Sequence, residues 1–488
     1  MNNVFKLSNL LRIDLYACDR NISGLALDSR KVQPGDLFFA YRGEKVDGRD
    51  YINDAIARGA AAVVIEGDLV QVQQDANKTV IVTLPNLRAR MGEIVAQFYG
   101  YPSAKLTVIG VTGTNGKTSI THFLAESLTA QQHLCGVIGT LGMGFLPKLS
   151  PVINTTPDII TLHQACAQLV AEHACAVAME VSSHALVQER VAGVAFDIGV
   201  FTNLTRDHLD YHGTMEDYAA AKRQLFLTPN LGCAVINCDD EFGEVLVQEL
   251  VTTLPVYGYS LKNDAVAAIR VKKIKMQNGV TYASVITPWG EGVLATRLLG
   301  EFNLSNLLAV LTVLGVMGID LTAALAACAN LSTVKGRMEM FGGDEKPLVV
   351  VDYAHTPDAL ERVLLTLRQH CRGKLWCVFG CGGDRDQGKR PLMGKIAEKY
   401  ADNLIITNDN PRTEDPERIA VDIVSGMANA KKALIELDRK QAIEKALQSA
   451  ATNDIVLIAG KGHEDYQIIG AEKTFFSDAA IVTDWFKN

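Results

Sequence analysis

Gly110-Val111-Thr112-Gly113-Thr114-Asn115-Gly116-Lys117-Thr118 follows a β-rich apolar run (106–111) and precedes an amphipathic one in which Ile120, Phe123, Leu124 and Leu128 recur at helical spacing. Strand, glycine turn and helix in that order make a phosphate cradle. The glycines let backbone N–H groups close on the anion, and the helix adds its positive end. Lys117 is placed to reach the β- and γ-phosphates and Thr118 to ligate Mg²⁺. Gly113, Thr114, Asn115, Gly116, Lys117, Thr118 and Ser119 are therefore expected to hold ATP. The usual loop opens on a glycine where this chain has Val111; Gly110 and Gly113 instead make the spacing GxxGxxGKT. Apart from its context, such a loop also reads as an ordinary strand-to-helix turn.

Outward from this loop, the chain's 488 residues are too many for one core, and at roughly 150 residues per domain three domains are expected. No run reaches the roughly 18 apolar residues that a membrane-spanning helix needs. Lys6, Arg12 and Asp14 interrupt the N-terminal leucines and leave no signal-peptide core, so a cytoplasmic location is expected. The net charge of −8 argues against a nucleic-acid binder, which needs surplus Lys and Arg on one face, while small anionic substrates need only a few local cations. A monomer without membrane insertion is expected. The cysteines include no CxxC pair and several lie in apolar runs, so most are read as buried, reduced thiols. Cys377 and Cys381 lack the second Cys/His pair of a metal site.

The fold class read from the pattern is α/β in three domains. Residues 1–98 alternate short strands (36–40, 61–65, 79–83) with helices (51–58, 86–98) and form a small N-terminal α/β module. Residues 99–337 carry the glycine loop, strands at 176–181 and 197–202 and a helix at 304–317, a central P-loop-type ATPase domain with a mostly parallel sheet. Residues 338–488 alternate strands (348–352, 374–380, 403–408, 433–437, 454–459) with helices, two of which begin Thr356-Pro357 and Asp415-Pro416, a capping side chain before a first-turn proline. This is the pattern of a Rossmann-like, doubly wound sheet with ligands at the carboxyl ends of its strands.

Four polar clusters sit where apolar strands end. Met179-Glu180-Val181-Ser182-Ser183-His184 offers Glu180 as an Mg²⁺ ligand or as a solvated loop carboxylate. Thr202 to Gly213 is dense in ligand-type side chains; His208 and His212 have the spacing of a zinc helix, but no Glu follows His208 and Gly213 opposes helix, so zinc is not expected. In Tyr218-Ala219-Ala220-Ala221-Lys222 the lysine reads as a surface charge. Last, the loops 380–386, 409–412 and 459–464 all follow strands of one doubly wound sheet and so gather at one edge. Arg385, Arg412 and Glu464 there supply donors for a carboxylate and an acceptor for an ammonium, as an amino acid requires, though each loop alone reads equally as a turn.

Taken together, GTNGKT (113–118), MEVSSH (179–184), TNLTRDHLDYHG (202–213), YAAAK (218–222), EFNLSN (301–306), KGRME (335–339), DYAHTPD (352–358) and DNPR (409–412) resemble the Mur ligases over the full chain. The loops look most like those of the member that joins meso-2,6-diaminopimelate to the γ-carboxylate of D-Glu in UDP-MurNAc-L-Ala-D-Glu, an ATP-dependent amide-bond-forming ligase of cytoplasmic peptidoglycan precursor synthesis. The resemblance implies that the first domain holds the uridine diphosphate, with Leu27 and Ser29 near it, and that Asn154, Thr155, Thr156, Ser182, Gln188 and Arg190 grip the muramoyl dipeptide. It implies that Lys117, Thr118, Glu180 and His208 handle the γ-phosphate and two Mg²⁺ ions. Asn306, Arg337 and Asp352 would contact ATP. Lys222 would be carbamylated by CO₂, its new carboxylate helping to hold metal, which replaces the surface reading. Arg385, Asp409, Asn410, Pro411, Arg412, Gly460 and Glu464 would form the diaminopimelate pocket. After Gly43 this chain has Glu44-Lys45-Val46 where the family often carries a His-Gln pair.

Arg412 discriminates among the rivals. It can pair with the distal carboxylate of meso-diaminopimelate, which lysine lacks. The N-terminal Leu27-Asp28-Ser29-Arg30 and Gly35-Asp36-Leu37-Phe38 favour a muramoyl ligase over a folylpolyglutamate synthetase, and a P-loop kinase or switch would leave the C-terminal pocket without purpose.

Overall fold

The computed structural model describes residues 4–15, 18–43, 46–76, 78–263, 267–277, 279–343 and 345–487. Glu44 and Lys45, which carry the departure after Gly43, lie outside them. The chain divides into two compact units, residues 1–110, 132–199 and 224–232 in one and residues 111–131, 200–223 and 233–488 in the other. Among the described residues no helix is long and apolar enough to cross a membrane.

In the first unit, Gly24–Ala26, Asp36–Ala40, Ala62–Glu66, Val80–Leu84 and Gln71–Gln74 form a five-stranded sheet in that spatial order, parallel except for the last pair. Asp36–Ala40 is buried along its whole length because both faces are covered. Leu37 and Phe39 enter the core packed by the helix Leu87–Phe98, and Phe38 and Ala40 enter the core around Ala55 and Val63. Cys135–Gly139 and Ala176–Glu180 pair in parallel in the same unit, and the second strand is apolar until Glu180.

The second unit begins inside the strand Thr107–Thr112, which leads into the helix Lys117–Ala130. Gly110 belongs to that strand, and a Cβ there would lie 2.7 Å from the Phe196 ring, so it serves packing; the turn between strand and helix starts at Gly113. Cys233–Asn237 and Val256–Ser260 pair in parallel, followed by an antiparallel meander of Ile269–Gln277, Val280–Thr287 and Gly290–Thr296. The C-terminal sheet runs Glu339–Phe341, Leu348–Asp352, Ile455–Ala459, Leu375–Phe379, Asn403–Ile406, Ala433–Ile435, antiparallel at the first pair and parallel thereafter. Helices cover both faces: Leu360, Leu364, Met393 and Ile419 pack on one, Ile443, Leu447 and Val482 on the other. Thr356 accepts from Ala359 N–H and Asp415 from Glu417 N–H, as the two caps require. Cys377 and Cys381 are buried in this apolar core, while Cys175 is exposed.

Candidate functional site

Gly113 (φ +144°) and Gly116 (φ +92°) hold the loop in backbone conformations that other residues resist. A Cβ on Gly113 would collide with Thr202 Oγ1, and one on Gly116 would lie 2.6 Å from Asn306 Oδ1. The loop is braced by the cluster that read as a crowd of ligand-type side chains. Thr202 Oγ1 donates to Asn115 O (2.6 Å), Asn115 N–H donates to Asn203 Oδ1 (2.9 Å), and Thr205 N–H donates to Thr114 Oγ1 (3.0 Å). Lys117 Nζ donates to the carbonyls of Gly113 (2.8 Å) and Thr114 (2.9 Å), which holds its charge over the loop. Arg337 Nη2 donates to Thr118 Oγ1 (3.1 Å) and its guanidinium lies 4.4 Å from the centre of the Tyr353 ring. Asp352 accepts from the N–H groups of Met338 (2.7 Å) and Ala354 (2.8 Å), and burial pushes its carboxyl above the ordinary range despite the nearby Arg337.

Lys222 is only 1% exposed, contrary to the surface reading. Tyr218, Ala221 and Lys222 form the buried side of the helix Met215–Arg223, and Lys222 Nζ lies over the Tyr218 ring, 4.2 Å from its centre. Burial, reinforced by the charge of Lys117, holds its amine well below the usual lysine value, against the opposing pull of Asp207 and Asp240. Asp207 is buried too, with His208 Nε2 at 3.4 Å and His355 Nε2 at 3.6 Å. Burial disfavours its charge, but the interaction with His355 and the charges of His208, His355 and Lys389 outweigh this and hold it ionised far below the usual range. His208 itself starts a single helical turn, Leu209–His212.

In the first unit, Glu180 is 1% exposed and accepts from Thr140 N–H (2.7 Å) and Thr140 Oγ1 (3.2 Å), so it is an ordered strand-end carboxylate. Thr140 Oγ1 also reaches Thr155 Oγ1 (3.1 Å). Thr156 Oγ1 donates to the Glu180 carbonyl (2.8 Å) and accepts from Ser182 N–H (3.0 Å). Arg190 donates to the Thr156 carbonyl (3.0 Å) and to Gln188 Oε1. Thr155, Thr156, Ser182, Gln188 and Arg190 are thus one hydrogen-bonded group, with Asn154 exposed beside it. Ser29 is buried, and Asp28, held by Arg30 at about 2, caps the short helix Ser29–Lys31 just after Leu27.

At the C-terminal sheet, the loops after Leu375–Phe379, Asn403–Ile406 and Ile455–Ala459 do come together. Asn410 Nδ2 donates to Glu464 Oε2 (2.9 Å) and Arg412 Nη1 to Gly383 O (2.7 Å). Gly460 (φ +113°) brings its backbone against Asp409, where a Cβ would lie 3.0 Å from Oδ2. Pro411 is buried between Asn410 and the left-handed Arg412 (φ +53°). Arg385 stands apart, exposed, with its guanidinium on the Asp384 carbonyl (3.1 Å).

Sequence reading did not assign Lys461, Arg439, Asp478, Asp207 or His355. Lys461 lies fully buried, with Nζ 3.1 Å from Glu464 Oε2 and 3.2 Å from Asn410 Oδ1. Arg439 and Asp478, both inaccessible to solvent, pair through two hydrogen bonds (2.8 and 2.7 Å), and the guanidinium also donates to the carbonyls of Asn408 (3.2 Å) and Ala459 (2.9 Å), pinning two of the strand ends that carry the pocket. Gly336 (φ +66°) and Gly462 (φ +51°) touch backbone to backbone: a Cβ on Gly336 would lie 2.7 Å from His463 Cα, and one on Gly462 2.6 Å from Gly336 O. The loop carrying Arg337 therefore rests directly on the loop carrying Glu464. His463 lies against Tyr353 (4.9 Å between ring centres), and burial followed by the charge of Arg337 lowers its imidazole to about 3.

A glycine loop between strand and helix, together with a doubly wound domain whose strand ends carry a charged cluster, is the architecture of an α/β enzyme. Three family descriptions match the chain in succession: "Mur ligase family, catalytic domain" over residues 21–99, "Mur ligase middle domain" over 111–314, and "Mur ligase, glutamate ligase domain" over 336–462. The chain belongs to the Mur ligase family. It is 52% identical over 460 residues to the UDP-N-acetylmuramoyl-L-alanyl-D-glutamate–2,6-diaminopimelate ligase of Coxiella burnetii, covering 94% of each chain. It is 44% identical over 492 residues to the ligase of the same description from Haemophilus influenzae, covering 99% of this chain and 100% of that one. A solved structure of a ligase so described shares 38% identity, with a TM-score of 0.72 over 99% of both chains.

Proposed function

We propose that this chain joins meso-2,6-diaminopimelate to the γ-carboxylate of the D-glutamyl residue in UDP-MurNAc-L-Ala-D-Glu, driven by ATP. The observation that carries this reading is the C-terminal pocket. Arg412 Nη1 lies on the Asn410 carbonyl and Asn410 Nδ2 donates to Glu464, so a cation and a carboxylate flank Asn410 and would take the distal carboxylate and ammonium of one diamino acid. Lysine would leave a guanidinium unmatched in that half-buried place, which is how sites built for a polar group reject analogues lacking it.

A carboxylate is a poor electrophile, so the γ-carboxylate first takes the γ-phosphoryl of ATP, and the amine then displaces phosphate from the acyl phosphate. Lys117 and the loop N–H groups stabilise charge on the transferring phosphoryl oxygens, and Arg337 orients Thr118. Asn306, Arg337 and Asp352 bound the rest of the ATP site. Thr118 and Glu180 would offer hard oxygens to Mg²⁺, with His208 as a further donor, and the ion would supply charge neutralisation for the phosphoryl transfer. Lys222 would carry the CO₂-derived carbamate: burial that holds its amine well below the usual lysine value favours the unprotonated form that attacks CO₂, and the resulting carboxylate would supply a further oxygen donor. Leu27 and Ser29 face the uridine diphosphate, and the Thr155, Thr156, Ser182, Gln188 and Arg190 group, with Asn154, grips the dipeptide. Asp409, Pro411 and Gly460 complete the amino-acid pocket, and Arg385, exposed and apart from them, would reach the amino acid only from outside that cluster. The three roles fall to residues 1–98, 99–337 and 338–488.

The test is phosphate release with the UDP-muramoyl dipeptide, ATP and Mg²⁺, comparing meso-diaminopimelate, L-lysine and no amine, with product masses. A tripeptide mass with diaminopimelate alone is expected. Turnover with lysine would overturn the specificity argument, and amine-independent release would overturn the ligase reading.

A further inference from the structure

Lys461 sits at the centre of the C-terminal pocket without lining its surface. Its side chain is fully buried, and Nζ faces three groups: Glu464 Oε2 at 3.1 Å, Asn410 Oδ1 at 3.2 Å and Asp409 Oδ1 at 3.6 Å. The Asn410 amide is locked by the same network, because Oδ1 accepts from Lys461 and from Ile468 N–H (3.0 Å) while Nδ2 donates to Glu464 Oε2 (2.9 Å). Both donors to Glu464 fall on Oε2.

We propose that Lys461 is a positioning residue that selects a diamino acid: it balances the charge of the Asp409–Glu464 pair and aims Glu464 Oε1 at the ligand's distal ammonium, without touching the ligand itself. The inference rests on the diaminopimelate reading above. With both carboxylates unbalanced, Glu464 would lose one of its two anchors, and the largely buried pair would repel itself. A lysine serves here because its compact ammonium can face three oxygens at once from a stem buried in the loop.

The test is a kinetic cycle of Lys461→Met, Glu464→Gln and the double variant in the full chain, with wild-type turnover of diaminopimelate checked first so that failure of the ligase reading is seen separately. Lys461→Met should raise KM for diaminopimelate about 10- to 100-fold while KM for ATP changes less than about twofold. In the Glu464→Gln background the same substitution should add less than about threefold, because Lys461 acts through Glu464. Full additivity of the two effects, or an equal rise in KM for ATP, would overturn the proposal. Where Lys461→Met alone does not fold, Glu464→Gln against the double variant decides: a similar KM supports the role, and a further tenfold rise refutes it.

Discussion

Asp478→Ala is expected to destabilise the C-terminal sheet strongly, for a reason that the geometry of Arg439 makes quantitative. The guanidinium is fully buried and makes four hydrogen bonds, two to Asp478 and two to the carbonyls of Asn408 and Ala459. Removing the carboxylate leaves a buried cation hydrogen-bonded only to carbonyls, with the charges of Asp409 and Glu464 farther off, a loss of about 3–5 kcal/mol. Arg439→Met should cost a similar amount, since it strands the carboxylate and frees both carbonyls. Removing both charges should cost far less than the sum, because a buried ion pair is worth little net of its desolvation, and the cycle should show a coupling of about 2–4 kcal/mol. Urea unfolding followed by tryptophan fluorescence is a suitable assay, because Trp376 and Trp485 both pack against this core. Because the two carbonyls belong to the pocket's strand ends, the double variant should keep its stability yet show a raised KM for the amino acid. Single variants costing less than about 1 kcal/mol, or additive costs, would refute the claim that the pair is a fully desolvated clamp.

Gly113→Ala should abolish nucleotide binding, read as loss of the thermal shift with ADP, since the new Cβ meets Thr202 in a backbone conformation that alanine resists; a retained shift would refute it. Arg412→Ala should lose diaminopimelate turnover chiefly through a KM raised at least about 100-fold, and unchanged kinetics would end the specificity argument. Lys222→Ala should cut turnover at least about 100-fold and be partly rescued by a small carboxylate; full activity without rescue would sink the carbamate. Its burial also predicts a stability slope. The unfolded amine is protonated up to the ordinary lysine value and the folded one only to a lower pH, so between the two the unfolded chain holds the extra proton and stability rises with pH. Lys222→Met should flatten that slope in urea titrations at neutral and alkaline pH.

The strands Leu348–Asp352 and Ile455–Ala459 were legible because a parallel strand covered on both faces is a continuous apolar run, and the helix starts at Thr356 and Asp415 because capping is local chemistry. The meander was not. Ile269–Gln277 is exposed from Lys272 onward, so no core imposes alternation on its sequence. The gathering of the three C-terminal loops followed from topology alone. Burial of single charges did not: Lys222 follows three alanines and Lys461 stands between two glycines, local settings that suit a solvated lysine equally well. Only the third dimension sets Tyr218 over one and Glu464 beside the other. Why Gly110 is a glycine was not legible either, since its reason is the Phe196 ring packed against it from a distant part of the chain.

The contact between Gly336 and Gly462 involves main chain on both sides and so reads no side chain at all. Two loops with different duties, one ending on Thr118 through Arg337 and one holding Glu464, meet at a joint indifferent to what the amino-acid pocket contains. At this joint, unlike the His355–Asp207 pair, no side chain would have to be matched in an exchange of the C-terminal sheet. Evolution, or an engineer building chimaeras, could replace the residues that choose the amine while leaving the phosphate machinery untouched, provided that both positions keep hydrogen in place of a side chain.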